Sequence, residues 1–146
     1  MQVDFYHLEA VPLERVLPRI AERLVGDGQR LLVIAADDAL AARLDADLWT
    51  YAADAFLPHG RAGAEGAADQ PVLIAAIADP VNGARNVAIA DGVWRDEALG
   101  FDRAFYLFDA ATIADARAAW RALGLREDIA RRYWKQDEDG RWREGP

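Results

Sequence analysis

Arg117 and Arg121 stand one helical turn apart with Trp120 beside them. That spacing puts two guanidinium groups on one helix face next to an indole. Forked, permanently charged donors bordering an apolar ring suit a ligand that carries carboxylates beside an apolar side chain. The same residues also describe a plain solvated helix face. A second pair, Trp49 and Phe56, offers large aromatic surface. Leu40, Leu44 and Leu48 form an i, i+4, i+8 stripe, and Trp49 lies one step to its side. A ring at the flank of a buried stripe is either a core edge or an anchor for a protein partner. Both rings are expected to be at least partly exposed and to share one patch.

Other arrangements carry less. His7 and His59 are the only histidines and lack a recognisable metal-ligand spacing. Asp37, Asp38, Asp45 and Asp47 resemble a two-metal set only in composition. The first two suit helix capping, and the last two, two residues apart, point from different helix faces. Gly60, Gly63 and Gly66 precede a strand instead of joining a strand to a helix, which is wrong for a dinucleotide loop. The chain has no cysteine and no serine, and Lys135 is its only lysine. Thiolate sites, serine nucleophiles and a Gly-Lys-Ser/Thr phosphate loop are therefore excluded. No cofactor, no metal and no catalytic residue are expected.

The 146 residues fit one domain, and the formal net charge is −8. Such a charge opposes broad binding to a polyanion. It is unevenly spread: residues 1–114 hold 9 basic and 18 acidic side chains, while 117–135 hold 6 basic against 2 acidic. A local basic segment on an acidic protein suits a short acidic partner better than a duplex. No apolar run approaches the roughly 20 residues of a membrane span, and the N-terminus lacks the pattern of a secretory signal. A cytoplasmic protein with no membrane partner is expected.

Short apolar runs alternating with helical periodicity predict an α/β domain with a mostly parallel central sheet flanked by helices. Strands are expected at Val3 to Leu8, Leu31 to Ala35, Val72 to Ile77, Asn86 to Ala90 and Arg103 to Phe108, the last of them. A helix opens at Pro12, with Pro18 breaking or kinking it, and ends at Gly26-Asp27-Gly28. Asp37 or Asp38 caps a second. A third, capped by Asp109, runs to Leu123 and stops at a left-handed Gly124. Residues 58–70 read as an exposed loop. A final helical segment is expected from about Arg126 to Lys135. The single domain spans 1–146, with 125–146 as a C-terminal helical or extended segment.

Placed on these elements, the residues resemble the chi subunit family of bacterial DNA polymerase III. Val3-Asp4-Phe5-Tyr6 looks like that family's first strand. Arg43-Leu44-Asp45-Ala46-Asp47-Leu48-Trp49 is similar to its Arg-Leu-Asp-x-x-Leu-Trp helix, and Phe56-Leu57-Pro58-His59 to its Phe-x-Pro-His segment. Ala116-Arg117-Ala118-Ala119-Trp120-Arg121 resembles its Ala-Arg-x-x-aromatic-basic helix. The matches run in order over nearly the whole chain, and the first two together are the specific part. The segment Leu125 to Arg132 departs from the short extended piece expected there.

The resemblance implies a Rossmann-like fold without catalysis of its own, in a subunit of the polymerase III holoenzyme that joins the clamp loader through the psi subunit. It also implies binding of the acidic C-terminal tail of single-stranded-DNA-binding protein. Trp49 and Phe56 fall at positions the family uses for psi or a replacement partner. Arg117 and Arg121 fall at those used for the tail, with Trp120 in place of a frequent tyrosine. DNA would be contacted mainly indirectly. Two alternatives stand beside this reading. One is a diverged small α/β enzyme or nucleotide-binding protein. The other is a direct single-strand binder that stacks bases on Trp134 and Trp142 near Lys135.

Overall fold

The structure, a computed structural model, describes residues 1–51 and 57–145. β1 (Gln2–His7) leads to α1 (Leu13–Gly26), β2 (Leu31–Ile34) and α2 (Asp38–Thr50). β3 (His59–Arg61), β4 (Val72–Ala75), β5 (Asn86–Ile89) and β6 (Arg103–Phe108) follow. α3 (Ile113–Leu123) then connects to β7 (Ala130–Gln136) and β8 (Trp142–Glu144). The eight strands form one sheet in the order β3-β4-β2-β5-β6-β1-β7-β8, parallel throughout except for the β7–β8 pair. The α/β class and the mostly parallel sheet are as expected from the sequence.

Strands β2, β4 and β5 are buried along their whole length, which is why they read as unbroken apolar runs. Alternate strand residues divide between two cores. Phe5, Leu32, Ile34, Tyr106 and Phe108 pack beneath Ala116, Ala119 and Leu123 of α3. Leu31, Val33, Phe105 and Leu107 pack beneath Leu17 and Leu24 of α1 and Leu44 and Leu48 of α2. α1 runs unbroken through Pro18, whose ring is buried. The proline forfeits one backbone hydrogen bond, and core packing of the helix face outweighs that loss. Asp37 caps α2, its side chain accepting from the Ala39 N–H at 2.9 Å.

Strand β1 is tied to both neighbours through one buried carboxylate. Asp4 accepts from Nε of Arg103 at 2.7 Å, from Nε1 of Trp134 at 3.1 Å and from Nε2 of Gln2 at 3.1 Å. At the far end of β5, Gly92 holds φ at 75°, and a Cβ there would meet Thr112 Oγ1 at 2.5 Å. Only glycine lets this loop pass the start of α3.

Five expectations are corrected. Ala130–Gln136 form β7, not part of a helix running from about Arg126 to Lys135. Without β7, one edge of β1 would hold unpaired backbone groups, and parallel pairing from Gln2↔Ala130 to His7↔Lys135 satisfies them. Tyr133 and Trp134 favour a strand as well. Arg103–Phe108 is consequently not the last strand. Within the 58–70 loop, His59–Arg61 pair with β4, and His59 is buried. α3 starts after Thr112, while Asp109 organises the preceding turn by accepting from the N–H groups of Ala111 and Thr112. Gly124 closes the helix at φ −66°, ψ −16°, in the right-handed region and not the left-handed one.

Candidate functional site

Small residues decide how α3 sits. Ala116 and Ala119 face the sheet, so the helix approaches closely and Trp120 meets Phe5 edge-on, with centroids 5.1 Å apart and planes at 85°. Trp120 is half-buried, and Arg117 and Arg121 are exposed. β7 enters on the other flank and sets Tyr133 against Trp120 at 5.9 Å and Phe108 at 6.0 Å. Phe108, Ile113, Ala116, Trp120 and Tyr133 thereby enclose a cavity of about 160 Å³, bordered by Arg117 and Arg121. A cavity of about 150 Å³ accommodates a benzene ring. This one has room for a single apolar or aromatic side chain.

Electrostatics give the rim one sign. Neither Arg117 nor Arg121 belongs to an ion pair among the described residues. Burial pushes the Tyr133 hydroxyl above its usual pKa and Glu9 adds to this, while the Arg117 charge pulls against both. The hydroxyl shares a 3.1 Å hydrogen bond with Nδ1 of His7, whose ring stacks on Phe108 at 5.0 Å. Arg131 braces the Trp120 ring: its guanidinium carbon lies 3.9 Å from the ring centroid, and Nη1 donates to the Trp120 carbonyl. The arrangement can bind a carboxylate beside a buried apolar group.

The sequence brought Arg117, Trp120 and Arg121 together, and the structure places all three on this cavity. It did not flag Phe108, Ile113, Arg131 or Tyr133. Arg131 and Tyr133 were hidden by the helical reading of their segment. The alternation of Arg131, Tyr133 and Lys135 was the available signal, since a period of two belongs to a strand.

Trp49 lies at the end of α2, 58% exposed, with its ring 4.8 Å from that of His59. Phe56 lies outside the described residues. His59 bonds through Nδ1 to the Leu57 carbonyl at 2.8 Å, and its Nε2 lies 3.1 Å from a carboxylate oxygen of Asp45. It joins the chain after residue 56 to α2 beneath Trp49. Asp38 pairs with Arg61. Among the described residues no three His, Asp or Glu side chains could together hold a metal ion. Gly63 and Gly66 sit at turns with positive φ, and Gly66 leads only into a three-residue 3-10 turn, Ala67–Asp69, that precedes β4. Trp134 and Trp142 share one face of the sheet, and Lys135 points to the other. Among the described residues no helix is long and apolar enough to cross a membrane.

The family model for the DNA polymerase III chi subunit, HolC, matches residues 1–128. The chain belongs to the chi subunit family. The DNA polymerase III subunit chi of Pseudomonas aeruginosa is 34% identical to this chi-family chain over 91 residues, 60% of the chain and 62% of the relative. The chain thus spans less than two thirds of that relative's length. The matched residues carry α3 with Arg117, Trp120 and Arg121, whereas β7 and β8 lie beyond them. The cavity is therefore built jointly by matched and unmatched sequence.

Proposed function

We propose that this chi-family chain is a non-catalytic adaptor of the polymerase III holoenzyme. It acts as one domain over residues 1–146, in the cytoplasm and without cofactor or metal. It links the clamp loader to single-stranded-DNA-binding protein by holding that protein's acidic C-terminal tail at Arg117, Trp120 and Arg121. Trp49 and Phe56 serve the psi subunit or its replacement.

One observation carries the reading: two arginines without ion-pair partners among the described residues border a cavity the size of one apolar side chain. A tail of aspartates ending in an apolar residue with a free carboxylate matches both parts. The ring enters between Trp120 and Tyr133, and the carboxylates take forked hydrogen bonds from the arginines. The contact is small, so affinity near the micromolar range, about −8 kcal/mol, is expected. Because Trp120 is an indole where relatives often carry a phenol, the wall is larger and offers an N–H donor in place of a hydroxyl.

Calorimetric titration with an acidic peptide ending in phenylalanine tests this. Binding is expected to vanish when the last residue is deleted. Arg117→Ala should weaken it by about tenfold to a hundredfold, since a hydrogen bond to a charged group is worth about 1.5–3 kcal/mol. Arg117→Lys should restore only part, because an ammonium lacks the fork. Equal binding by wild type and Arg117→Ala would refute the arginine clamp.

A further inference from the structure

The face of the sheet opposite the cavity carries a second set of aromatic and cationic side chains. By the strand alternation, Arg132 and Trp134 of β7 share this face with Asp4 and Tyr6 of β1 and with Trp142 of β8. The Tyr6 ring lies near-parallel to Trp134, with centroids 6.3 Å apart and planes at 19°, and meets Trp142 edge-on at 5.1 Å. All three rings keep part of their surface in solvent. The Trp134 indole is held in place by its bond to the buried Asp4. Three arginines surround the rings. Arg132 is exposed and in no ion pair among the described residues. Arg103 lies with its guanidinium carbon 4.5 Å from the Phe105 centroid. Arg23 of α1 is near enough that its charge lowers the Tyr6 hydroxyl pKa, against the larger upward effects of burial and Asp4.

We infer that this face, built around Tyr6, Trp134 and Trp142 with Arg23, Arg103 and Arg132, is a weak docking platform for single-stranded nucleic acid.

The argument rests on charge and ring chemistry together. Of the three β7 cations Arg132 alone shares this face, since Arg131 and Lys135 point to the other, and Arg103 of β6 adds a second guanidinium beside Phe105, on a chain whose net charge is −8. Asp4, beneath the rings, is fully buried and its charge is offset by the Arg103 guanidinium, while Glu144 of β8, opposite Trp134, is an exposed acid on this face that Arg132 and Arg103 together outweigh. Unpaired bases stack on aromatic faces whatever their sequence, while arginines track the backbone phosphates. A duplex hides its base faces and lacks that contact. The platform lies on the α1 side of the sheet and the arginine-rimmed cavity on the α3 side, so both could be occupied together. β7 and β8 lie beyond residues 1–128, so the platform depends on the part of this chain that the family model does not match.

Fluorescence anisotropy of a labelled oligothymidylate strand, titrated with the full chain at low salt, tests the inference. A dissociation constant of about 10⁻⁵ M is expected, within the usual range for binding without sequence preference. Affinity should fall with added salt, and Arg132→Glu should lower it at least about fivefold and flatten the salt slope by about 0.7. Trp134→Phe, which keeps a stacking ring, should retain most binding. Trp134→Ala should lose it, with the acidic peptide titration as a check that the fold survives. A parallel titration with oligouridylate distinguishes DNA from RNA as the natural source, and binding of either supports the platform. No anisotropy change up to about 10⁻⁴ M, unaltered binding by Arg132→Glu, or equal binding of a duplex would overturn it.

Discussion

The Arg131 guanidinium carbon lies over the Trp120 indole, 3.9 Å from its centroid, and the group donates to the Trp120 backbone carbonyl. A cation from β7 thus holds the ring that α3 contributes to the cavity. The carbonyl belongs to the last turn of the helix and also accepts the Gly124 N–H at 3.1 Å, and the negative end of the helix dipole there favours a cation. The close passage of Arg131 also leaves no space at Gly124, where a Cβ would come within 2.7 Å of the guanidinium.

Arg131→Ala should therefore loosen Trp120 as well as remove charge. Loss of the cation–π contact and of the carbonyl bond should lower stability by about 1–2 kcal/mol. Affinity for the acidic peptide should fall by more than Coulomb loss alone explains. Arg131→Lys keeps the charge but not the planar fork, so peptide affinity should remain reduced. Urea denaturation and calorimetry on the two variants separate these effects.

Trp49 sits on α2, across the sheet from α3. Trp49→Ala should leave the acidic peptide affinity unchanged within about twofold, because well-separated sites act independently. It should weaken capture of psi or its replacement. Parallel loss of both activities would mean that the two surfaces are not separate.

Asp91 supplies a pH dependence. Burial raises its pKa, but hydrogen bonds from Arg95 and from the N–H groups of Ala36 and Val93 outweigh that and hold the carboxyl below its usual value. The folded protein therefore binds this proton more weakly than the unfolded chain does. The stabilisation is complete above the unfolded aspartate pKa of about 3.9 and is lost as pH falls through the lower folded value. Asp91→Asn should be less stable at neutral pH, and its stability should fall less between about pH 6 and about pH 3. Denaturant midpoints at the two pH values measure the difference.

Asp4 should be the most sensitive single carboxylate for folding. Asp4→Ala strands the Trp134 N–H and the partly exposed Arg103 guanidinium, and about 2–4 kcal/mol of destabilisation is expected. Asp4→Asn retains one acceptor oxygen and should recover part of it. Thermal melts of both variants check the order.

The sequence by itself determined the α/β class, the positions of β2, β4, β5 and β6 and an α2 cap at Asp37 or Asp38. Each of these rests on local physics: unbroken apolar runs, helical periodicity, or a side chain reaching its own helix's N–H. It also placed Arg117, Trp120 and Arg121 together, because an i, i+4 spacing is a property of the helix alone. Tertiary structure decided the rest. Whether Ala130–Gln136 became helix or strand turned on the open edge of β1, more than 120 residues away in the chain. That choice set which face Tyr133, Trp134 and Lys135 occupy. It gave the cavity its Tyr133 wall, set Arg131 against Trp120 and moved Trp134 beside Tyr6. Arginine-rich sequence is locally compatible with a helix, and only the unpaired backbone of a distant strand makes the extended form lower in free energy.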